Sequence, residues 1–193
     1  MPTRTKMSTG WWFSCIAIGA LCASAPAQAQ EAYVCVWRNP ERTMTRLFPE
    51  ASDYRTVNVP IAPAQLERIE ARMGAALLPG QREQFQYFEM LDRSGQVIGH
   101  TQAMTQKGEF GAIELVFGMD REHRVVQLYI QRQRERDGRF REEDFLARFT
   151  GTGVANADPL ADPLGDAGTL GTRAVTLGIK TALIEFDELV LRR

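Results

Sequence analysis

The sequence is poor in cysteine and histidine, with three and two residues of these types among 193. Cys15 and Cys22 lie in an N-terminal segment that we expect to be removed, so the mature chain would keep Cys35 alone. An internal disulfide in the mature chain is therefore excluded. The sequence also has no Cys-x-x-Cys-His motif, and nothing in it supports a covalently attached haem.

The sequence also lacks an excess of either charge and a long apolar run. It has 23 Lys and Arg against 24 Asp and Glu, a formal net charge of -1. Loss of two cations, Arg4 and Lys6, with residues 1–29 would take that charge from -1 to -3. This balance predicts no nucleic-acid partner. The longest apolar run, Trp11 to Ala23, is shorter than the roughly 20 residues of a membrane-spanning helix.

The first 29 residues have the order of a cleavable secretory signal peptide. Arg4 and Lys6 precede the apolar run, and Ala27-Gln28-Ala29 supplies the small residues that a signal peptidase requires. We predict cleavage after Ala29 and a periplasmic or otherwise extracytoplasmic location. The alternative is an uncleaved membrane anchor.

The hydrophobic pattern after residue 30 predicts an α+β fold, a twisted antiparallel β-sheet packed by helices. A C-terminal helix is expected after a Gly/Asp/Pro-rich loop at 151–171, which is too irregular for a regular element. The predicted helices are 40–48, opened by Asn39 as cap, then 63–73, 141–149 and 172–191. The predicted strands are 54–59, a hairpin around the turn 92–95, 112–119 and 125–133.

The loop Asp166 to Thr172 directly precedes the predicted C-terminal helix. Free backbone amides at a helix N-terminus, with glycines that allow close approach, form a site for an anion such as a phosphate. The competing interpretation is a flexible loop in which Thr172 is an ordinary N-cap.

Several segments between about Phe85 and Leu183 follow the order found in one flavoprotein family. They are Val97-Ile98-Gly99-His100, Gly111 to Asp120, Arg134-Glu135 with Gly138, Phe145 to Gly151, Arg173 to Thr176, Gly178-Ile179-Lys180 and Ala182-Leu183. This span resembles the FMN-binding domain family, whose members include the flavin-carrying domain of sodium-pumping NADH:quinone oxidoreductases and related exported flavoproteins. The resemblance divides the chain into a signal peptide at 1–29, a helical and strand extension at 30–83 and an FMN-binding-like domain at 84–193.

In that family a Ser/Thr-Gly-Ala-Thr motif precedes the helix, and a flavin transferase attaches FMN to its last threonine through a phosphoester. The resemblance places Thr169 at the acceptor position, although this chain has Asp166-Ala167-Gly168-Thr169 there. A second register moves the acceptor to Thr172.

The resemblance also implies roles for the residues around the acceptor. The phosphate would be held by Thr169 and by the backbone amides of Leu170, Gly171 and Thr172, with Arg173 meeting the charge of Asp166. Glu135 and Gly138 would shape one side of the flavin ring. The alternative interpretation of Glu135 is a solvated acid of the loop.

The function expected from the resemblance is an extracytoplasmic electron carrier with FMN as cofactor and a redox partner protein, either in the membrane or outside it. Two alternatives remain open: a flavin-free binding or structural module on the same fold, and a flavin-dependent reductase. His100 and His123 lie in separate segments, and no metal cluster is expected from them.

Overall fold

The computed structural model describes residues 36–193. The predicted signal peptide at 1–29 and Cys35 lie outside the described residues. The described residues contain one five-stranded antiparallel sheet, with strands in the order of the sequence, β1 to β5. This sheet, with the helices that pack on it, confirms the predicted α+β fold. None of the described helices is both long and apolar enough to cross a membrane.

The strands lie close to their predicted positions. They are β1 Asp53–Pro60, β2 Gln84–Leu91, β3 Val97–Lys107, β4 Ala112–Met119 and β5 Val125–Arg132. The helices are α1 Pro40–Leu47, α2 Pro63–Met73, α3 Glu143–Ala147 and α4 Leu170–Phe186. Helix α4 continues directly into a π-helical turn, Asp187–Leu191.

Proline and glycine set the bounds of the early helices. Pro63 opens α2, where its missing N–H costs no hydrogen bond, and Gly74 ends the helix in the left-handed region at φ 69°. Asn39 does precede α1, but its backbone is left-handed and its side chain makes no capping hydrogen bond. Asn39 is therefore the N-cap residue, as predicted, with Pro40 at the first helical position, but it caps α1 without a side-chain hydrogen bond.

The last two helices differ from their predicted bounds. Helix α3 covers five residues instead of 141–149, because a 3₁₀ turn at Arg139–Arg141 precedes it and Gly151, at φ 82°, lies in the left-handed region just beyond it. Helix α4 begins two residues before Thr172, because Thr169 takes the capping position. Residues Leu170 to Thr172 thus form its first turn.

Two hydrophobic cores lie on opposite faces of the sheet. The larger one packs α4, α2 and α3 on the sheet, and the predicted stripe of α4 is fully buried in it: Val175, Ile179, Leu183 and Phe186. The smaller one lies under Trp37 and Phe48. A Cβ at Gly99 or Gly118 would overlap the ring of Phe48, so these two glycines make the groove that receives it.

The described part of the 30–83 extension belongs to the same compact unit as the rest. Residues 36–193 all fall within that unit. Strand β1 pairs along its whole length with β2, and Ile69 of α2 is fully buried in the larger core. Residues before and after position 83 in the sequence therefore both contribute to the sheet and its core.

An ion-pair network joins α2 to the π-helical turn. Arg72 lies 2.7 Å from the carboxylates of Asp158 and Asp187 and 2.8 Å from that of Glu188, and Arg68 reaches Glu188 at 2.9 Å. Burial alone would raise the pKa of Glu188, but hydrogen bonds from Arg68 and Arg72 hold that pKa below its usual range. Arg72 thus neutralises acids that the fold has taken out of water.

We expect Arg72→Met to lower the free energy of unfolding by about 1–3 kcal/mol, because Asp187 and Glu188 lose their hydrogen bonds from Arg72 but keep Arg192 and Arg68 as partners. Urea denaturation of the purified protein measures the change. The matched control is Arg93→Met in the exposed β2–β3 turn, which should cost less than about 0.5 kcal/mol. Equal effects of the two variants would contradict the structural role of the network.

Candidate functional site

The predicted acceptor Thr169 is the N-cap of α4. Its hydroxyl oxygen accepts a hydrogen bond from the backbone N–H of Thr172 at 3.2 Å, and its own N–H donates to the Thr172 hydroxyl at 2.8 Å. This reciprocal arrangement satisfies two donors at the start of the helix. The Thr169 hydroxyl also lowers the pKa of Asp137, although Oδ2 of Asp137 has no hydrogen-bond partner of ordinary geometry among the described residues.

The second predicted acceptor, Thr172, is fully buried and already bonded to an acid. Its hydroxyl donates to the Asp162 carboxylate at 2.6 Å. A carboxylate at this place supplies the negative charge that a helix N-terminus favours. The position where a phosphate would be expected is therefore close to a built-in anion, and like charges at this range repel.

The glycines of this segment are closed off by their own neighbours. A Cβ on Gly171 would overlap the ring of Phe140, and one on Gly168 would overlap the Asp162 carboxylate. The absence of a Cβ at these two glycines leaves room for the side chains of Phe140 and Asp162, so their role is in packing. Leu170, Arg173 and Asp166 are exposed, and within residues 36–193 no ion pair joins Arg173 to Asp166.

Glu135 and Gly138, which were expected beside the flavin ring, do not line an open surface either. Glu135 is buried, and its carboxylate accepts hydrogen bonds from the backbone N–H groups of Glu109 and Phe110 at 3.0 and 2.9 Å. It therefore fixes the β3–β4 turn. Gly138 is half-buried and precedes the 3₁₀ turn Arg139–Arg141. In this conformation Thr169, Thr172 and Glu135 use their polar side-chain atoms for hydrogen bonds within the chain.

A different site lies where β2 and β3 separate. The two strands pair from Leu91 and Val97 as far as Phe88 and Thr101. Beyond that point, within residues 36–193, residues 84–87 pair only with β1 and residues 102–107 pair only with β4. The sheet therefore contains a cleft between two neighbouring strands.

The cleft holds a cavity of about 330 Å³. Besides Val36, its described lining comes from the turn before β2, from β2 and β3, and from Glu185 of α4. Two hollows elsewhere, of about 670 and 500 Å³, are wider, but no described polar atom that is buried and unpartnered lines either of them. A cavity of this size fits a small molecule.

Three buried polar side chains line the cleft without a hydrogen-bond partner in the described part of the chain. Neither the oxygen nor the nitrogen of the Gln102 amide is bonded, and the Thr105 hydroxyl is also unbonded. No described residue donates to or accepts from the carboxyl group of Glu185. The exposed fractions of these residues are 1%, 2% and 2%. Buried polar groups are nearly always paired, so an unpaired set around one cavity indicates a ligand or water site.

Burial raises the pKa of Glu185 to about 8. The cause is the loss of water around the charged form, without a cation to offset it. At neutral pH the carboxyl group therefore carries its proton. An acid with this property inside a cavity is a frequent mark of a binding or catalytic site.

Along the cleft, one edge of β3 has no neighbouring strand within the described residues. The side-chain amide of Gln81 donates to the backbone carbonyl of Thr105 at 2.7 Å, in the place of a neighbouring strand. On the α4 face of β3, the side-chain amide of Gln106 donates to the Thr181 hydroxyl at 3.4 Å. The π-helical turn that follows Glu185 is a local distortion often found at functional sites.

The two histidines, which the sequence places in separate segments, are neighbours in the fold. The ring centroids of His100 and His123 are 5.5 Å apart, and both rings contact Phe186. Burial and the nearby His123 lower the pKa of His100 to about 4. Among the described residues no group of three or more His, Cys, Asp or Glu could hold a metal ion.

The cleft between β2 and β3 was not predicted from the sequence. One signal was present: the middle of β3 reads Thr101-Gln102-Ala103-Met104-Thr105-Gln106, with four polar residues in six. A central strand buried on both faces is normally apolar. Glu185, inside an otherwise apolar turn of the C-terminal helix, is a second such exception.

No family model matches this chain, and no curated protein is similar enough to it to count as a relative.

We expect Gln102→Met to raise the free energy of unfolding by about 1–3 kcal/mol, because it removes a buried amide without partners at similar volume. Thermal and urea denaturation measure the change. The control Gln96→Met, in the exposed hairpin turn, should change stability by less than about 0.5 kcal/mol. A loss of stability for Gln102→Met would mean that the amide is bonded in solution.

Glu185 should also give the protein a pH-dependent stability. The native pKa, about 8, lies above the value of 4.5 for a free glutamate, so the unfolded chain ionises first as the pH rises. Stability is then lost from pH 4.5 upward, by about 1.4 kcal/mol per pH unit. Glu185→Gln should remove this loss, so that its advantage over the wild type grows between about pH 5 and pH 7. A constant difference between the two proteins would contradict the raised pKa.

Proposed function

We propose that this protein is a flavin-free binding module that holds a small polar ligand in the cleft between β2 and β3. The observation that carries the proposal is that two buried side chains without partners among the described residues, Gln102 and Thr105, line one cavity with the buried Glu185, whose pKa is shifted by burial alone. Leaving such groups unpaired costs stability, about 1–3 kcal/mol for each. A ligand that bonds to them offsets this cost, which accounts for their presence in a buried strand and helix.

The predicted signal peptide sets the place where such a ligand would be met. If the chain is exported as the sequence predicts, the module acts in the periplasm or outside the cell. The module would bind its ligand there.

The binding test uses a panel of small alcohols, amides, sugars, amines and carboxylates, screened against the purified protein by ligand-observed NMR. We expect at least one class to bind to the wild type and to Gln96→Met, and to lose binding in Gln102→Met. Because Gln102→Met should be more stable than the wild type, its loss of binding would not reflect unfolding. A panel with no binder that depends on Gln102 would refute the module.

A flavin carrier is the second candidate, favoured by one feature of the structure. Leu170 and Gly171 are the first residues of a 17-residue helix, whose opening amides have no intrahelical acceptor, and the exposed Arg173 lies one residue beyond Thr172. To receive FMN there, the Thr169 hydroxyl would have to leave its capping bond and Asp162 would have to move away from Thr172.

The two candidates differ in colour and mass. Coexpressed with a flavin transferase, the protein should remain colourless and keep the mass of the unmodified chain, as measured by visible absorbance and intact mass spectrometry. A variant with Ser-Gly-Ala-Thr at positions 166–169 is the positive control for the family motif. A mass increment of one FMN on the natural sequence, abolished by Thr169→Ala, would establish the flavin carrier instead.

A further inference from the structure

The ionisable residues that line the cleft in the described structure are all acids. The described residues that line it include two acids, Glu83 and Glu185, several amides, and no Lys, Arg or His. Arg82, between the lining residues Gln81 and Glu83 in the sequence, is paired with Glu70 at 3.4 Å, and Arg72 of α2 is paired with Asp158, Asp187 and Glu188. Low-dielectric walls strengthen the field of an acid inside a cavity. A cation placed in the cavity would stabilise the ionised form of Glu185, whereas the described lining offers no cation to an anionic ligand.

The acceptors of the cleft come from two faces of the sheet. Gln102 pairs in register with Phe117 of the larger core, which places its side chain on the α4 face, where Glu185 also lies. The neighbouring Ala103 packs on the smaller core, so the alternation along β3 places Thr105 on the opposite face. The cleft is therefore lined by a carboxyl and an amide group from the α4 face and by a hydroxyl group from the other face.

An ammonium group matches this set. It has three donors and no acceptor, and it can give one hydrogen bond to each of three oxygens. Phe85 and Met104, both buried, supply an apolar wall for an attached carbon chain. A cation beside the carboxylate also replaces the counter-charge that Glu185 lacks within the described structure.

We propose that the cleft binds a primary ammonium group on a short aliphatic chain, held by Glu185, Gln102 and Thr105. This inference rests on the proposed ligand-binding function. It adds the chemical class of the ligand, which is either a free amine or the side chain of a lysine from a partner protein.

Binding should be coupled to loss of a proton. The free protein holds Glu185 protonated at neutral pH, whereas the complex needs the carboxylate, so the proton passes to the solvent as the ammonium enters. Glu83 is the only other titratable group among the described lining residues, while His100 meets the neighbouring Phe186 from β3. These groups are shared by the wild type and any Glu185 variant.

The test compares n-butylammonium with 1-butanol and butyrate, which have the same chain length and different head groups, by isothermal titration calorimetry at neutral pH. We expect n-butylammonium to bind at least about tenfold more tightly than either, with release of close to one proton, as judged in buffers of different ionisation enthalpy. Glu185→Gln should remove this preference. Glu67→Gln, the same change at an exposed position of α2, should keep it.

Three outcomes separate the hypotheses. Butanol or butyrate binding as tightly as n-butylammonium, with dependence on Gln102, would refute the ammonium inference and leave the binding module intact. No Gln102-dependent binding of any panel compound would refute the module itself. With the preference established, Nα-acetyl-lysine N-methylamide distinguishes the source: about tenfold tighter binding than n-butylammonium assigns a partner's lysine, and weaker binding assigns a free amine.

Discussion

The separation of β2 from β3 is the constraint on which the rest of the site depends. A continuous sheet would pair residues 84–87 with residues 102–105 and leave no cavity. The strands instead keep full pairing with their outer neighbours and part from each other below Phe88 and Thr101. The larger core, with α4 across it, holds the two halves together on one face. The cleft is therefore maintained by packing on both sides of it, without a hydrogen-bonded ladder within the described residues.

This arrangement puts stability and function in opposition. The polar stretch of β3 and Glu185 of α4 occupy positions where apolar side chains would pack better. Natural proteins keep such groups in the core chiefly where a site requires them. The Arg72 network supports the same region, because it ties α2 to the turn that directly follows Glu185. The distorted turn and the buried acid are thus supported by one set of ion pairs.

The start of α4 illustrates why a sequence motif and an anion site are different things. The glycines and threonines there suit a phosphate in composition, but the fold uses them internally. Asp162, from the preceding loop, bonds to Thr172, while the ring of Phe140 packs on Gly171. Whether a residue faces a ligand or its own chain depends on what the loop brings beside it. Sequence spacing alone does not contain that information.

The sequence by itself determined the order of strands and helices and the buried stripe of α4, because hydrophobic periodicity reflects local geometry with few competing solutions. It located Gly74 as the end of α2 for the same local reason. Only the tertiary structure decided that Thr169 caps its helix, that two distant histidines meet, and that Gln102 and Glu185 line one cavity. These facts depend on contacts between residues far apart in the chain, and on the point at which two strands stop pairing. No local pattern of residues specifies either.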